Sequence, residues 1–394
     1  MVDEKKSKAA KPEPVRRSNR AGFFGLLFIC AAVYVGYALN ASYKVFEVQP
    51  FEIKPRPALK GPLALNNRLS QAERLLENKI AGPESIEIHN GKLYTGTIDG
   101  KIVEITDGKI TDEYKLVSKC SNFDECGRPL GIRHLKGDEF VTADPYRGLL
   151  VVDMKKKTHK VILAANALID GKPMRFADDL DLLDEETVLL SDCTSKWELT
   201  KFVNEMFELK PNGRILKVNL RTGGVNIVAK DLYFPNGVQL FPDKKSILIG
   251  ESTAARLTRI YISGEKVGKK EVFVENLPGF PDNVRLSHDK KTFWVAFFGT
   301  RVPDKFSFYD SLIGHPLARR LVLALLDGPI LSDIFTSWKQ KHAMAIQVDL
   351  KGKIVSSLHD PHAKAMVDNT QVTEDSEYIY FGSYHSPYLG RLRK

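Results

Sequence analysis

Five oxygen-bearing side chains stand in short, similar contexts far apart in the chain: Glu84 in GPES, Asp178 in FADDL, Asn236 in FPNGV, and Asp282 with Asn283 in FPDNV. Carboxylate and amide oxygens, with no Cys or His beside them, are the donors of a hard cation. Ca²⁺, which takes about 6–8 oxygens including waters, suits them better than zinc or iron. Taken singly, an Asp or Asn ahead of a strand is a turn cap; recurrence in four separate segments makes a candidate metal site. A cation held there would polarise an ester or lactone carbonyl, lower the pKa of a bound water and stabilise the oxyanion, with Glu84 or Asp178 managing the proton. His134, His359, His362 and His385 are further acid–base candidates against the commoner role of a structural histidine. His385, in SYHSPY, is the one assigned a catalytic role. Hydrolysis of a small ester or lactone is the reaction class.

Residues so far apart meet only if the chain brings equivalent strand ends to one place. Six β-prone runs end in a small residue or lie next to one: KLYTG (92–96), EFVTAD (139–144), TVLLSD (187–192), SILIGE (246–251), TFWVAF (292–297) and YIYFGS (378–383). Their starts are 47, 48, 59, 46 and 86 residues apart, and most are followed by an alternating strand and a Gly- or Lys-rich turn. Strand pairs at roughly 40–50-residue spacing read as propeller blades, so the fold class is all-β, a six-bladed β-propeller. A parallel α/β sheet would need a crossover helix after each strand, and most gaps have no room for one. The interval of 86 carries an insertion in blade five, about 301–341, whose Leu, Ile, Phe and Val spacing with Pro316 and Pro329 as breakers predicts two or three short helices. A cap on the propeller edge is the simpler expectation for them; a lid over the site face that also touches a membrane is the other.

The N-terminus reads differently. Residues 21–39, AGFFGLLFICAAVYVGYAL, are nineteen residues without a charge, enough at ~1.5 Å per residue to cross a ~30 Å hydrocarbon core. That run is longer than a signal-peptide core, and Tyr34, Tyr37 and Tyr43 crowd its far end like an interfacial belt. Seven Lys/Arg against three acidic residues in 1–20 make a basic tail, placed in the cytoplasm by the positive-inside rule. The expectation is a type II membrane protein of the secretory pathway, in the endoplasmic reticulum or plasma membrane, with its C-terminal domain lumenal or extracellular. The tail accounts for +4 of the formal net charge of +9, so the remaining surface offers no basic stripe for nucleic acid. Residues 40–79, Pro-rich at first, read as an extended neck, and 80–394 as the propeller. On the oxidising side, Cys120 and Cys126, flanking SNFDE, are expected to form a local disulfide, with Cys193 free.

Longer motifs carry a resemblance. ERLLENKIAGPESIEI, CGRPLGIR, SDCTSKW, LYFPNGVQL, VENLPGFPDNVR, SLHDPHA and YIYFGSYHSPYLGRL together resemble the strictosidine synthase-like family from about residue 60 to the end. That family belongs to a wider set of six-bladed, calcium-dependent propellers that includes paraoxonases, gluconolactonases and squid-type phosphotriesterases. The resemblance implies calcium on Glu84, Asp178, Asn236, Asp282 and Asn283, and an arylesterase- or lactonase-type activity. Departures are visible too. Asp178 replaces the usual Asn, and Leu130 stands where paraoxonases carry their basic histidine. Ser85 replaces a carboxylate that helps hold a second, structural calcium, while Asp179 remains at the other matching position, and no second ion is predicted. An amine–aldehyde condensation as in strictosidine synthase would rely on a glutamate near Glu374. A non-catalytic, membrane-tethered binding propeller with structural calcium is the further alternative.

Overall fold

The computed structural model describes residues 20–394 other than residue 327, with side chains from residue 22. The basic tail read from residues 1–20 lies, except for Arg20, outside the described residues. Six four-stranded antiparallel sheets stand in a ring, each running outward from its first strand. The innermost strands are Ile86–His89, Ile132–Lys136, Ala177–Asp184, Pro235–Leu240, Gly279–Leu286 and Gln371–Glu374, and each touches the next around the ring. The six recurring runs of the sequence are the second strands of the blades. They stand out because they are buried on both faces by the flanking strands, as in Ser246–Glu251, where every residue is buried.

The core is a wheel of separate clusters between neighbouring blades. Val141, Leu180, Val188 and Leu216 join blades two and three, and Leu189, Ile215, Val238 and Ile249 join three and four. Leu248, Val284, Val295 and Ile346 do the same for four and five. The inner strands converge closely where glycine permits. A Cβ on Gly237 would lie 2.6 Å from the Asp282 carbonyl oxygen, and one on Gly131 would lie 2.7 Å from that of Asp178.

The ring is closed by the segment read as a neck. Glu73–Leu75 pairs antiparallel with Leu389–Arg393 and becomes the outermost strand of blade six, so the closing sheet combines both ends of the domain. Upstream, Phe46, Val48, Phe51 and Ile53 pack on the apolar cap, and Leu63 and Leu69 enter two interblade clusters. Residues 46–75 are therefore laid on the propeller instead of spacing it from a membrane. Proline made them extended, and apolar residues between the prolines fixed where they lie.

Helix Arg20–Val45 continues past the nineteen uncharged residues and ends against the domain. The most apolar eighteen-residue stretch of its Gly22–Val45 portion has mean hydropathy 2.0 and none of it is buried, so the helix is long and apolar enough to cross a membrane. The blade-five insertion forms helices Phe308–Leu312, Pro316–Leu325 and Gly328–Ser337. They do not cap the propeller edge. With helix Phe202–Glu208 they build a cluster of Met206, Phe207, Phe280, Phe298, Tyr309 and Phe335 on the face where the inner strands begin.

Candidate active site

Each inner strand begins at the same end of the ring, which places equivalent residues side by side. The position taken by Glu84 in blade one is taken by Leu130, Asp178, Asn236, Asp282 and Thr370 in the others. Glu84, Leu130, Asp178, Asn236, Asp282 and His385 line one cavity of about 230 Å³. Its walls are apolar: Ile98, Phe123, Phe176, Phe202, Phe234 and Phe298. Asn283 joins the floor by donating from Nδ2 to Glu84 Oε1 at 2.7 Å, and Asn236 Nδ2 donates to Asp178 Oδ2 at 2.8 Å. All five floor residues are buried, at most 6% exposed.

Both amides spend their N–H groups on carboxylates and leave their oxygens over. Glu84 Oε2, Asn236 Oδ1 and Asn283 Oδ1 are buried with no hydrogen-bond partner. An orphaned buried polar atom costs about 1–3 kcal/mol, and three acceptors in one floor ask for a common electrophile. Burial first, then the charges of Asp178 and Asp179, push Glu84 well above the usual carboxylate range. Asp178 is raised by burial and by Asp179 against the opposing pull of the Cys193 thiol. Asp282 is raised by burial, then by Glu84 and Asp178. Against these three carboxylates the cavity offers one buried guanidinium, Arg128, which donates to the Tyr384 carbonyl at 2.7 Å. With all three carboxylates ionised, the excess over Arg128 would be two negative charges, which a single divalent ion would neutralise. The donor set fits such an ion only with the amides included: among the described residues no group of three His, Cys, Asp or Glu side chains is arranged to hold a metal.

One layer below, Arg285 fills the space between Asp179 and Ser85. Its guanidinium grips Asp179 with two bonds of 2.7 and 2.8 Å and donates to Ser85 Oγ at 3.1 Å. Ser85 Oγ in turn donates to Gln371 Oε1 at 2.6 Å. A fixed side-chain cation thus occupies the level at which a second metal ion had to be considered.

At the mouth, His385 Nδ1 lies 3.1 Å from Asp368 Oδ2, and the ring is 37% exposed. Asp368 is further held by Ser383 Oγ, and Lys339 Nζ stands 3.7 Å away, donating also to Tyr384 Oη. Burial pushes the Asp368 carboxyl up, but the adjoining imidazole and the Lys339 charge outweigh it, so its pKa lies below the usual range. Leu130 packs with Phe176, Cys193 and Phe234 and leaves its own corner of the site without a base.

The other histidines are elsewhere. His134 stacks on His89 at 3.5 Å between centroids, and His359 is buried against His342 in the outer strands of blade five. His362 lies on an exposed turn. Glu374 is at the far end of its inner strand, bound to Lys394 and the His288 backbone, outside the cavity. Cys120 and Cys126 are bonded, and Cys193 is free, donating from Sγ to Asp178 Oδ2 and the Pro235 carbonyl. Four polar contributors were not foreseen: Arg128, Arg285, Lys339 and Asp368. Two had a signal. Arg285 lies two residues after Asn283, hence on the same strand face, and Asp368-Asn369 repeats the Asp282-Asn283 pair.

A profile of strictosidine synthase matches residues 178–265, and one of the strictosidine synthase-like N-terminal region matches 61–105. The mouse adipocyte plasma membrane-associated protein is 34% identical over 391 residues, covering 97% of this chain and 93% of its own. The chicken protein of that name is 36% identical over 349 residues, covering 87% and 83%. Among solved structures, a gluconolactonase from Xanthomonas campestris superposes with TM-score 0.53 at 12% identity, covering 87% of this chain and 96% of its own. At that identity the likeness concerns the fold.

Proposed function

Since this chain belongs to the strictosidine synthase-like family, alongside the adipocyte plasma membrane-associated proteins, we propose that it is a membrane-anchored, calcium-dependent ester hydrolase of arylesterase or lactonase type. The observation that carries the reading is the trio of buried, unpartnered oxygens on Glu84, Asn236 and Asn283 beneath an apolar cavity with an acid–base pair at its mouth. Glu84, Asp178, Asn236, Asp282 and Asn283 are the residues that would hold Ca²⁺. Bound there, the ion would supply Lewis-acid polarisation of the carbonyl and charge for the oxyanion.

The chain's own residues account for the rest. The phenylalanine walls orient an aryl or acyl group and exclude water from it. With Nδ1 facing Asp368, His385 keeps Nε2 for proton transfer. It takes a proton from water as the water oxygen bonds to the carbonyl carbon and the carbonyl π pair moves onto its oxygen. When that pair returns, the carbon–oxygen bond to the leaving group breaks and the proton passes to the departing alkoxide, giving one carboxylic acid and one alcohol. Asp368, 3.1 Å from Nδ1, would balance the charge that His385 gains on taking the proton. This pair supplies the base that Leu130 cannot. The basic residues ahead of helix Arg20–Val45 support a type II anchor with the propeller on the lumenal or extracellular side.

The test is full-length protein in lipid nanodiscs, assayed on phenyl acetate and a lactone panel with and without chelator. Hydrolysis abolished by chelator, by Glu84→Gln and by His385→Ala, with the fold intact, is the expected result. No hydrolysis of any ester, together with melting that still depends on calcium, would leave a binding propeller in place of an enzyme.

A further inference from the structure

We infer that the tunnel-mouth face rests on the bilayer that holds the N-terminal helix, through helix Pro316–Leu325, and that the substrates are lipophilic esters entering from that membrane. The inference deepens the membrane-anchored hydrolase reading and rests on it.

The depth follows from the anchor. From Gly22 to Tyr43 the helix rises about 32 Å, close to the ~30 Å of a hydrocarbon core, so Tyr43 sits at its far boundary. Tyr43 is also where the insertion takes hold. The Arg320 guanidinium lies 3.8 Å from the Tyr43 ring centroid and donates to the Phe46 carbonyl at 3.0 Å. Arg319, wholly buried, donates to the carbonyls of Phe207 and Gln49. Helix Pro316–Leu325 is thereby tied at the height of the membrane surface, with both of its charges turned into protein.

What it leaves outside is leucine. Leu317, Leu321 and Leu325 recur at i, i+4 and i+8, one stripe on one helix face, and are 74%, 36% and 37% exposed. Its sequence, PLARRLVLAL, contains no acidic residue. Phe123, Leu168 and Ile330 add exposed apolar surface on neighbouring connections of the same face. Among the described residues, the turns at the opposite end of the ring expose only Val267 and Leu350 of the large apolar type. A water-facing surface has no use for such asymmetry, whereas a helix lying in an interface needs it. Phe123 belongs both to this face, where it is 46% exposed, and to the cavity wall, so the apolar lining of the cavity reaches the surface there.

Two measurements test this on the full chain in phosphatidylcholine nanodiscs, with Cys30→Ser to leave only the buried Cys193 as background thiol. Nitroxides at Leu317→Cys, Leu321→Cys and Leu325→Cys should be relaxed by oxygen and shielded from a water-soluble nickel complex, with the reverse at Val267→Cys. Nickel access equal to that at Val267, or shielding from both reagents by a protein partner, would overturn the bilayer contact. Separately, Leu317→Asn/Leu321→Asn/Leu325→Asn should lose roughly tenfold or more on a long-chain nitrophenyl ester dissolved in the bilayer while keeping its rate on phenyl acetate. Equal loss on both would overturn the lipophilic-substrate assignment. If the unmodified protein hydrolyses neither ester, the hydrolase reading and this substrate class fall together, and the nitroxides decide the membrane contact alone.

Discussion

Replacing Arg285 by Met removes the fixed cation at the centre of the ring while keeping most of the side-chain volume. In the parent, Asp179 is wholly buried and Arg285 holds both of its oxygens at 2.7 and 2.8 Å. Without the guanidinium, the Val238 amide at 2.8 Å remains as its donor. Breaking a buried pair from one side costs about 3–5 kcal/mol, because a buried charge is left uncompensated. Protonation sets a ceiling: neutralising a carboxylate of ordinary pKa near 3.9 at pH 7.5 costs about 5 kcal/mol. With unfolding entropy of about 2.1 cal/mol/K per residue over roughly 320 residues, 3–5 kcal/mol is a loss of about 4–7 °C in Tm. Adding Asp179→Asn removes the charge that Arg285→Met leaves behind and should restore part of the Tm. Calorimetry of the parent, the single variant and the double variant is the assay. A loss under 1 °C in the single variant, or no recovery in the double variant, would refute the account of Arg285 as a structural cation.

Three other outcomes are expected. Burial raises Glu205 to about 8 despite bonds from Thr194 and Asn212, so its stabilising proton is lost as pH climbs from about 4.5 through 8; Glu205→Gln should flatten the Tm profile over that window, and a profile parallel to the parent's would contradict the shift. Opening the Cys120–Cys126 bond by a double Ser substitution frees a short loop and should cost about 2 kcal/mol in urea unfolding, checked beside non-reducing peptide mapping of the parent. Asn236→Ala should abolish the rise in Tm that calcium brings, while Asp178→Asn, which keeps an oxygen at the same place, should retain it; isothermal titration separates the two.

The recurrence of strand, turn and strand every 46 to 59 residues, stretched to 86 once by the insertion, was enough to read six blades, because each blade repeats one local solution to the same packing problem. The floor of the site was legible for the same reason. Glu84, Asp178, Asn236, Asp282 and Asn283 occupy one register position, or the next, at strand beginnings, and ring symmetry converts register into proximity. The disulfide needed six residues of spacing, and the apolar helix its length alone. The rest depends on contacts between segments that have no common period. Whether residues 46–75 hang free or dock was decided by where Phe46, Phe51, Leu63 and Leu69 found apolar partners, and Glu73–Leu75 had no mark of its own as the strand that closes blade six. His385 acquired its carboxylate only when the loop before blade six met the loop after its second strand, seventeen residues away in sequence. The Leu317, Leu321 and Leu325 stripe could be read as an amphipathic pattern, but only the packing of Arg319 and Arg320 against Phe207, Gln49, Phe46 and Tyr43 turned that face outward. Local sequence fixes which backbone forms and which face is apolar; what that face meets is a property of the whole chain closing on itself.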